Sequence, residues 1–316
     1  MIRYYTQQAN RLVELEELQP STWVNISPPI ETSELKTLSK QLDIPADFLT
    51  DSLDIDERSR YDQEDDTRLI VVNTAFFNDS ELENEAIYIT VPIGIILTPS
   101  NIVTISPKAN DVLNRFLEGR IRNFELRDER KFVLQIFDHI VLNYLDSLKK
   151  LNLKRHIIEN ELYDSSRNAE LKQLLRIEKS LVYFVNSLSS NELVNMKMKR
   201  TDFLRIRDEE KLNDFFEDII IDNSQALEMA NVHTNILSGT MEAYASIVSN
   251  NLNSFIQRLT IITIILMVPT LVASFYGMNL KNLPLENSPY AFYIILVASL
   301  VFSVLLVWFF RRKRLF

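Results

Sequence analysis

Two long uncharged apolar stretches near the C-terminus restrict this chain more than any other feature. Leu259–Phe275 carries no charged residue and is about as long as the shortest membrane-spanning helices. Tyr290–Phe310 is also free of charge and runs directly into Arg311, Arg312, Lys313 and Arg314. Only residues 276–289 separate the two, so they are expected to form a membrane hairpin with both outer ends on one side. The basic cluster assigns that side to the cytoplasm, because cytoplasmic flanks collect Lys and Arg. The connecting loop, with Lys281 as its only basic residue, is then external. The first stretch alone would also suit a buried core helix; the second stretch and its basic stop decide for the membrane. The opening MIRYYTQQ has no apolar core of the kind a secretory leader carries. The reading is a multi-pass protein of the plasma (inner) membrane with both termini cytoplasmic.

Charge and composition narrow the chemistry. The formal net charge is −9 and the C-terminal cluster is basic, so the remainder is more acidic still. That argues against nucleic acid and suits cations. With no cysteine there is neither disulfide nor thiolate metal site. His139, His156 and His233 are widely separated and read as ordinary helix residues. Four glycines leave no material for a phosphate-cradling loop. No catalytic constellation is present, and the chain is not read as an enzyme.

Residues 1–107 hold seven of the ten prolines and a series of strand-like runs. IRYYT, RLVEL, TWVNI, RLIVVNTAFF, EAIYITVPIGIILT and NIVTIS are β-branched or aromatic and bounded by turn residues. ETSELKTLSKQL and PADFLTDSLD read as short helices. This segment is expected to be a cytoplasmic α/β domain with a mixed sheet. From Lys108 to Val268 there is no proline, and so long a stretch rich in Leu, Glu, Lys and Asn is helical. Residues 108–200 read as a helical hairpin, with breaks expected near Tyr163–Asn168 and near Ser187–Asn191. A third helix, 201–275, reads as a long stalk that continues into the first span at about residue 255. Residues 276–289 are the external loop, 290–310 the second span and 311–316 a basic cytoplasmic tail.

The stalk carries an unusual stripe. Alternating steps of three and four from Gln225 pass through Glu228, Val232, Asn235, Gly239, Glu242, Ser246, Ser249, Asn253, Ile256, Thr260, Thr263, Met267, Thr270 and Ser274. Such steps keep all of them on one side of a gently supercoiled helix. A coiled coil places apolar residues there; here most are polar. In the soluble part the stripe fits a solvated face or a wet axis. Inside the membrane Thr260, Thr263, Thr270 and Ser274 mark a helix contact or a water-filled path. Continuity across the membrane surface favours the path. Pro269 removes one backbone N–H and frees a carbonyl near Ile265, which kinks the helix or bares an oxygen to that path.

The first span ends in Tyr276-Gly277-Met278-Asn279. Gly277 lets the backbone turn, and Asn279 offers an uncharged oxygen at the mouth. Such oxygens suit Mg²⁺, which holds its waters tightly and can be gripped through them. This tetrapeptide between two C-terminal spans, after a long proline-free helix and an α/β domain, resembles the CorA family of magnesium and cobalt transport proteins. The likeness covers the chain in architecture, and in identifiable residues mainly Asn253–Asn279.

The resemblance implies a homopentameric funnel in the lipid bilayer, with first spans lining one pore and second spans outside them. It implies passive uptake of Mg²⁺, with Co²⁺ or Ni²⁺ as substitutes, gated by internal Mg²⁺. The alternatives are a zinc transporter of the same superfamily and a membrane-anchored sensor that transports nothing. Tyr276, Gly277, Met278 and Asn279 correspond to the selectivity motif. Asn253, Ile256, Leu259, Thr260, Thr263, Met267 and Thr270 correspond to the pore lining and gate; Ser274 joins them on the stripe. Asp218 matches in position an aspartate that binds regulatory metal between subunits, with Asp79 nominated as its partner. The external loop LKNLPLENSP departs from more acidic ones, offering Glu286 and Lys281 as its only charges.

Overall fold

The computed structural model describes residues 1–8, 11–79, 85–121, 124–164, 168–278, 284 and 289–313. It divides into two compact units, Met1–Gly239 and Thr240–Phe316.

The first unit is built on a seven-stranded sheet. Its strands are β1 (Ile2–Gln8), β2 (Arg11–Leu15), β3 (Trp23–Ile26), β4 (Arg60–Glu64), β5 (Thr67–Phe77), β6 (Tyr88–Leu97) and β7 (Ile102–Ile105), in the order β2-β1-β3-β7-β6-β5-β4. β3 and β7 run parallel and every other pair is antiparallel, so the sheet is mixed as expected. β5, β6 and β7 are buried over most of their length, which is why their sequences are nearly continuous apolar runs. β4, RYDQE, was not anticipated. It is a polar edge strand joined to β5 through Asp65, whose φ of 49° suits a tight hairpin turn.

Two short helices cover one face: α1 (Thr32–Leu42) and α2 (Ala46–Asp51). Leu35, Leu38, Phe48 and Leu49 pack with Val24, Ile26, Leu69, Val71, Ile96, Val103 and Ile105 into one core. Gly94 on β6 is required by this contact, because a Cβ there would lie 2.1 Å from the Ser52 hydroxyl oxygen. The other face takes α3 (Asp111–Leu117), α4 (Glu129–Asp164) and α5 (Asn168–Thr201). Trp23 stacks edge-on against Phe132 and Phe116 there, and its indole N–H donates to Thr104. His139, on α4, lies against the Phe116 ring with its Nδ1 3.1 Å from the Gln135 carbonyl.

The expected break near Ser187–Asn191 does not occur; α5 runs through it. These small polar residues are buried against the sheet instead of marking a turn. Ser187 bonds Thr90, and the Asn191 amide meets the β5 backbone at Asn73. Asn73 lies past the end of the β4 register at Arg60↔Val71, so this edge of β5 has no strand partner there. Asn191 Oδ1 accepts from the Asn73 N–H at 3.0 Å and from the Ser59 hydroxyl at 2.6 Å, and its Nδ2 donates to the Asn73 carbonyl at 2.8 Å. Asn191→Leu would leave a buried backbone N–H without its acceptor. The expected loss is about 2–3 kcal/mol of stability, measured as an earlier urea midpoint for the purified protein. An unchanged midpoint would remove this role for Asn191.

The chain breaks at residues 202–209 instead. Asp202 and Arg205 take positive φ, and the Asp202 carboxylate accepts from the N–H groups of Ile206 and Arg207. The long helix α6 therefore starts at Glu210, not near Thr201, and continues without interruption to Tyr276. In the second unit it is followed by α7 (Ala291–Arg312). Both helices are long and apolar enough to cross a membrane.

Candidate functional site

Within the first unit, α6 is fixed to α5 by side chains on its inner face. The Asn223 amide donates to the Leu188 carbonyl at 3.1 Å and Ser224 bonds Glu192. Ala226, Ala230 and Leu237 on α6 are fully buried, whereas Gln225, Glu228, Val232, Asn235 and Gly239 are exposed. The same stepping taken back from Gln225 reaches Ile221, Asp218 and Asp214, also exposed. The sequence stripe thus starts earlier than the sequence reading placed it and contains Asp218. Lys199 pairs with the adjacent Glu217, and that hydrogen bond holds the Glu217 carboxyl below its usual range. Asp218 makes no ion pair among the described residues. Asp79 is exposed just beyond the end of β5. No hydrogen bond or ion pair joins it to Asp218 among the described residues.

In the second unit the two apolar helices meet along particular positions. The less exposed residues of α6 are Ile261, Ile265, Val268, Pro269 and Val272; those of α7 are Ala291, Ile295, Ser299, Ser303, Leu306 and Phe310. Ser303 Oγ lies 3.4 Å from the Ile265 carbonyl, which fixes the contact between them. At 100° per residue, Ile261, Ile265, Val268 and Val272 lie on one side of α6. Thr260, Thr263, Met267, Thr270 and Ser274 lie on the other, and all five are exposed, as are Asn253, Ile256 and Leu259. The stripe is therefore not the surface that α7 covers.

The threonines share one geometry. Each hydroxyl lies 2.9 Å from the carbonyl four residues earlier: Thr260 on Ile256, Thr263 on Leu259, Thr270 on Leu266. A carbonyl can only accept, so each hydroxyl spends its proton on its own helix. What remains facing outward is an acceptor oxygen. Ile256, Leu259 and Met267 put bulky apolar groups at or beside the same stripe.

At the end of α6, Gly277 lies in a turn, as the sequence suggested, without taking a positive φ. Its N–H bonds the Ala273 carbonyl at 2.9 Å, and Met278 N–H follows to Phe275. A Cβ there would lie 3.3 Å from the Ala273 oxygen, so the glycine serves closeness, not a positive φ. The Tyr276 hydroxyl donates to the Pro284 carbonyl at 3.2 Å, a bond between the helix end and the connecting segment. Asn279 lies outside the described residues. Sequence reasoning missed Ser299 and Ser303. The signal was present, since they are two small polar residues four apart in an apolar span, the spacing that lets helices approach closely.

Two apolar helices closing a chain built on an α/β unit and one unbroken helix reproduce a known architecture. The family model described as CorA-like Mg2+ transporter protein matches residues 19–312. The chain belongs to the CorA family. The cobalt/magnesium transport protein CorA of Methanocaldococcus jannaschii is 27% identical over 295 residues, covering 92% of this chain and 90% of that one. The protein of the same name from Thermotoga maritima is 23% identical, covering 98% and 88%. The complete structure of the CorA magnesium transporter from Methanocaldococcus jannaschii superposes with a TM-score of 0.84 at 25% identity, over 99% of this chain and 98% of that one. CorA membership agrees with the order of elements described above: an α/β unit, a long helix whose C-terminal part is apolar, and a second apolar helix.

Proposed function

We propose that this chain forms a membrane channel for passive uptake of Mg²⁺, with Co²⁺ and Ni²⁺ as secondary cargo. Five copies assemble around an axis in the plasma (inner) membrane, with both termini in the cytoplasm and the first spans innermost. The observation that carries this reading is the division of α6 into two sides: the second span meets one, and the other holds the threonine stripe. A tether has no use for that division. A conducting helix needs it, because polar residues in a span belong against protein or water.

The stripe suits a hydrated ion. Mg²⁺ releases its waters reluctantly, and those waters donate hydrogen bonds outward. The outward oxygens of Thr260, Thr263 and Thr270 accept them without stripping the ion. Asn279, in the motif with Tyr276, Gly277 and Met278, provides the first such oxygen at the external mouth. Ile256, Leu259 and Met267, repeated five times, close the path by excluding water when the helices draw together. Asp218 and Asp79 of adjacent copies hold the regulatory Mg²⁺.

The test is ion flux into liposomes containing the purified protein, comparing Mg²⁺, Co²⁺, Ni²⁺ and Zn²⁺ with and without a pH gradient. The expected result is Mg²⁺ entry driven by membrane potential and unaffected by the pH gradient. Flux of Zn²⁺ alone, dependent on that gradient, would assign the chain to zinc transport. Absence of flux for all four ions would leave a tethered sensor.

A further inference from the structure

We propose that Ser303, on the second span, is a positioning residue for the first, giving the Ile265 carbonyl the hydrogen bond that Pro269 cannot make; its role in transport rests on the channel reading above. Within a helix each N–H donates to the carbonyl four residues earlier. Pro269 lies inside α6 and has no N–H, so the orphaned acceptor is the carbonyl of Ile265. In a membrane no solvent makes good such a loss, and a neighbouring helix must. Ser303 Oγ is 3.4 Å from this oxygen and 3.1 Å from that of Ser299 on its own helix, and it shares its proton between them. Ser303 is 8% exposed, on a helix whose flanking residues Phe302 and Val304 are 53% and 67% exposed. A hydroxyl of the second span thus reaches the first at the gap that Pro269 leaves in its backbone ladder.

The placement has a mechanical meaning. Pro269 divides the first span into an inner segment with Ile256, Leu259 and Met267 and an outer segment with Thr270, Ser274 and the motif. A proline gap is where such a helix bends. Fastening the second span at that gap makes it a fixed pivot. The inner segment can then swing while the outer one keeps the motif in register. The freed oxygen is directed at the second span and away from the stripe, so it is not an ion ligand.

Because the donor is needed only while residue 269 is proline, a double-mutant cycle tests the proposal. Ser303→Ala, Pro269→Ala and the double variant are compared with the parent, full length and purified. Alanine at 269 restores an N–H that reaches Ile265, so the serine becomes redundant. In the parent background Ser303→Ala is expected to lower the Tm by about 2–4 °C and to raise the KM for Mg²⁺ flux roughly two- to tenfold, the range of one net hydrogen bond. In the Pro269→Ala background it should change neither. Equal shifts in both backgrounds would reduce Ser303 to a packing residue and overturn the proposal, as would no shift in the parent. If Ser303→Ala cannot be purified, recovery of the protein by Pro269→Ala supports the bond and failure to recover overturns it. The Tm cycle does not depend on transport. Coupling in Tm without flux from any variant would refute the channel and keep the bond; flux without coupling would do the reverse.

Discussion

Asn279→Ala is expected to reduce Mg²⁺ flux by at least about a hundredfold while the oligomer still assembles. In the sequence Asn279 comes directly after Tyr276, Gly277 and Met278, at the end of the first span. In the proposed filter its amide oxygen accepts a hydrogen bond from the water shell of the ion, worth about 1 kcal/mol net. Five copies acting together give several such bonds, and each 1.4 kcal/mol is about tenfold. Alanine offers no acceptor, and neither Gly277 nor Met278 has a side-chain oxygen to replace it. Stopped-flow uptake with an indicator dye inside liposomes measures the loss, and size-exclusion chromatography checks assembly. Wild-type flux in an assembled Asn279→Ala protein would rule out the filter role. Asn279→Asp is the informative companion, since a ring of full charges should bind the ion tightly and slow its release.

Asp218→Ala is expected to keep the channel open at internal Mg²⁺ concentrations that close the parent, with the closing midpoint raised roughly tenfold or more. The need for a sensor follows from the driving force. Two charges entering a cell gain about 4.6 kcal/mol per 100 mV, so an unregulated pore would overfill it. Asp218 is exposed on the uncovered side of α6 and makes no ion pair among the described residues. Two carboxylates from adjacent copies repel while empty and attract through a bridging Mg²⁺. The metal then favours the closed arrangement by its differential affinity for the two states, summed over the interfaces. Loss of one carboxylate removes most of that difference, and about 1.4 kcal/mol suffices for a tenfold shift. Flux measured against internal Mg²⁺ for Asp218→Ala and Asp79→Ala decides the matter. A shift in the first alone retains the sensor and dismisses Asp79 as its partner. If both close where the parent does, sensing lies at other carboxylates.

Where local pattern and tertiary role coincide, this sequence is readable. The central strands are buried on both faces and so appear as unbroken apolar runs, and the two spans announce themselves by length and lack of charge. The threonine stripe was legible because it lies along one helix with a fixed period. Three failures share another cause: each depends on a partner in another element. Ser187 and Asn191 look like a helix break because small polar residues favour turns; their bonds to Thr90 and Asn73 keep them inside a helix. β4 has no apolar alternation to reveal it and exists because β5 offers it an edge. The carbonyl released by Pro269 was foreseen, but not its hydrogen-bond partner, because Ser303 lies on the other apolar helix, 38 residues further along the chain.

The way the threonines dispose of their protons has a consequence for sign discrimination. An ordinary hydroxyl is ambivalent, able to greet a cation with its oxygen or an anion with its hydrogen. In Thr260, Thr263 and Thr270 the hydrogen is already turned back into the helix. Under the proposed assembly a chloride ion entering this passage would meet only the negative ends of fixed dipoles. Exclusion of anions then requires no ionised group in these rings. It also does not fade on acidification, because there is nothing on those rungs to titrate.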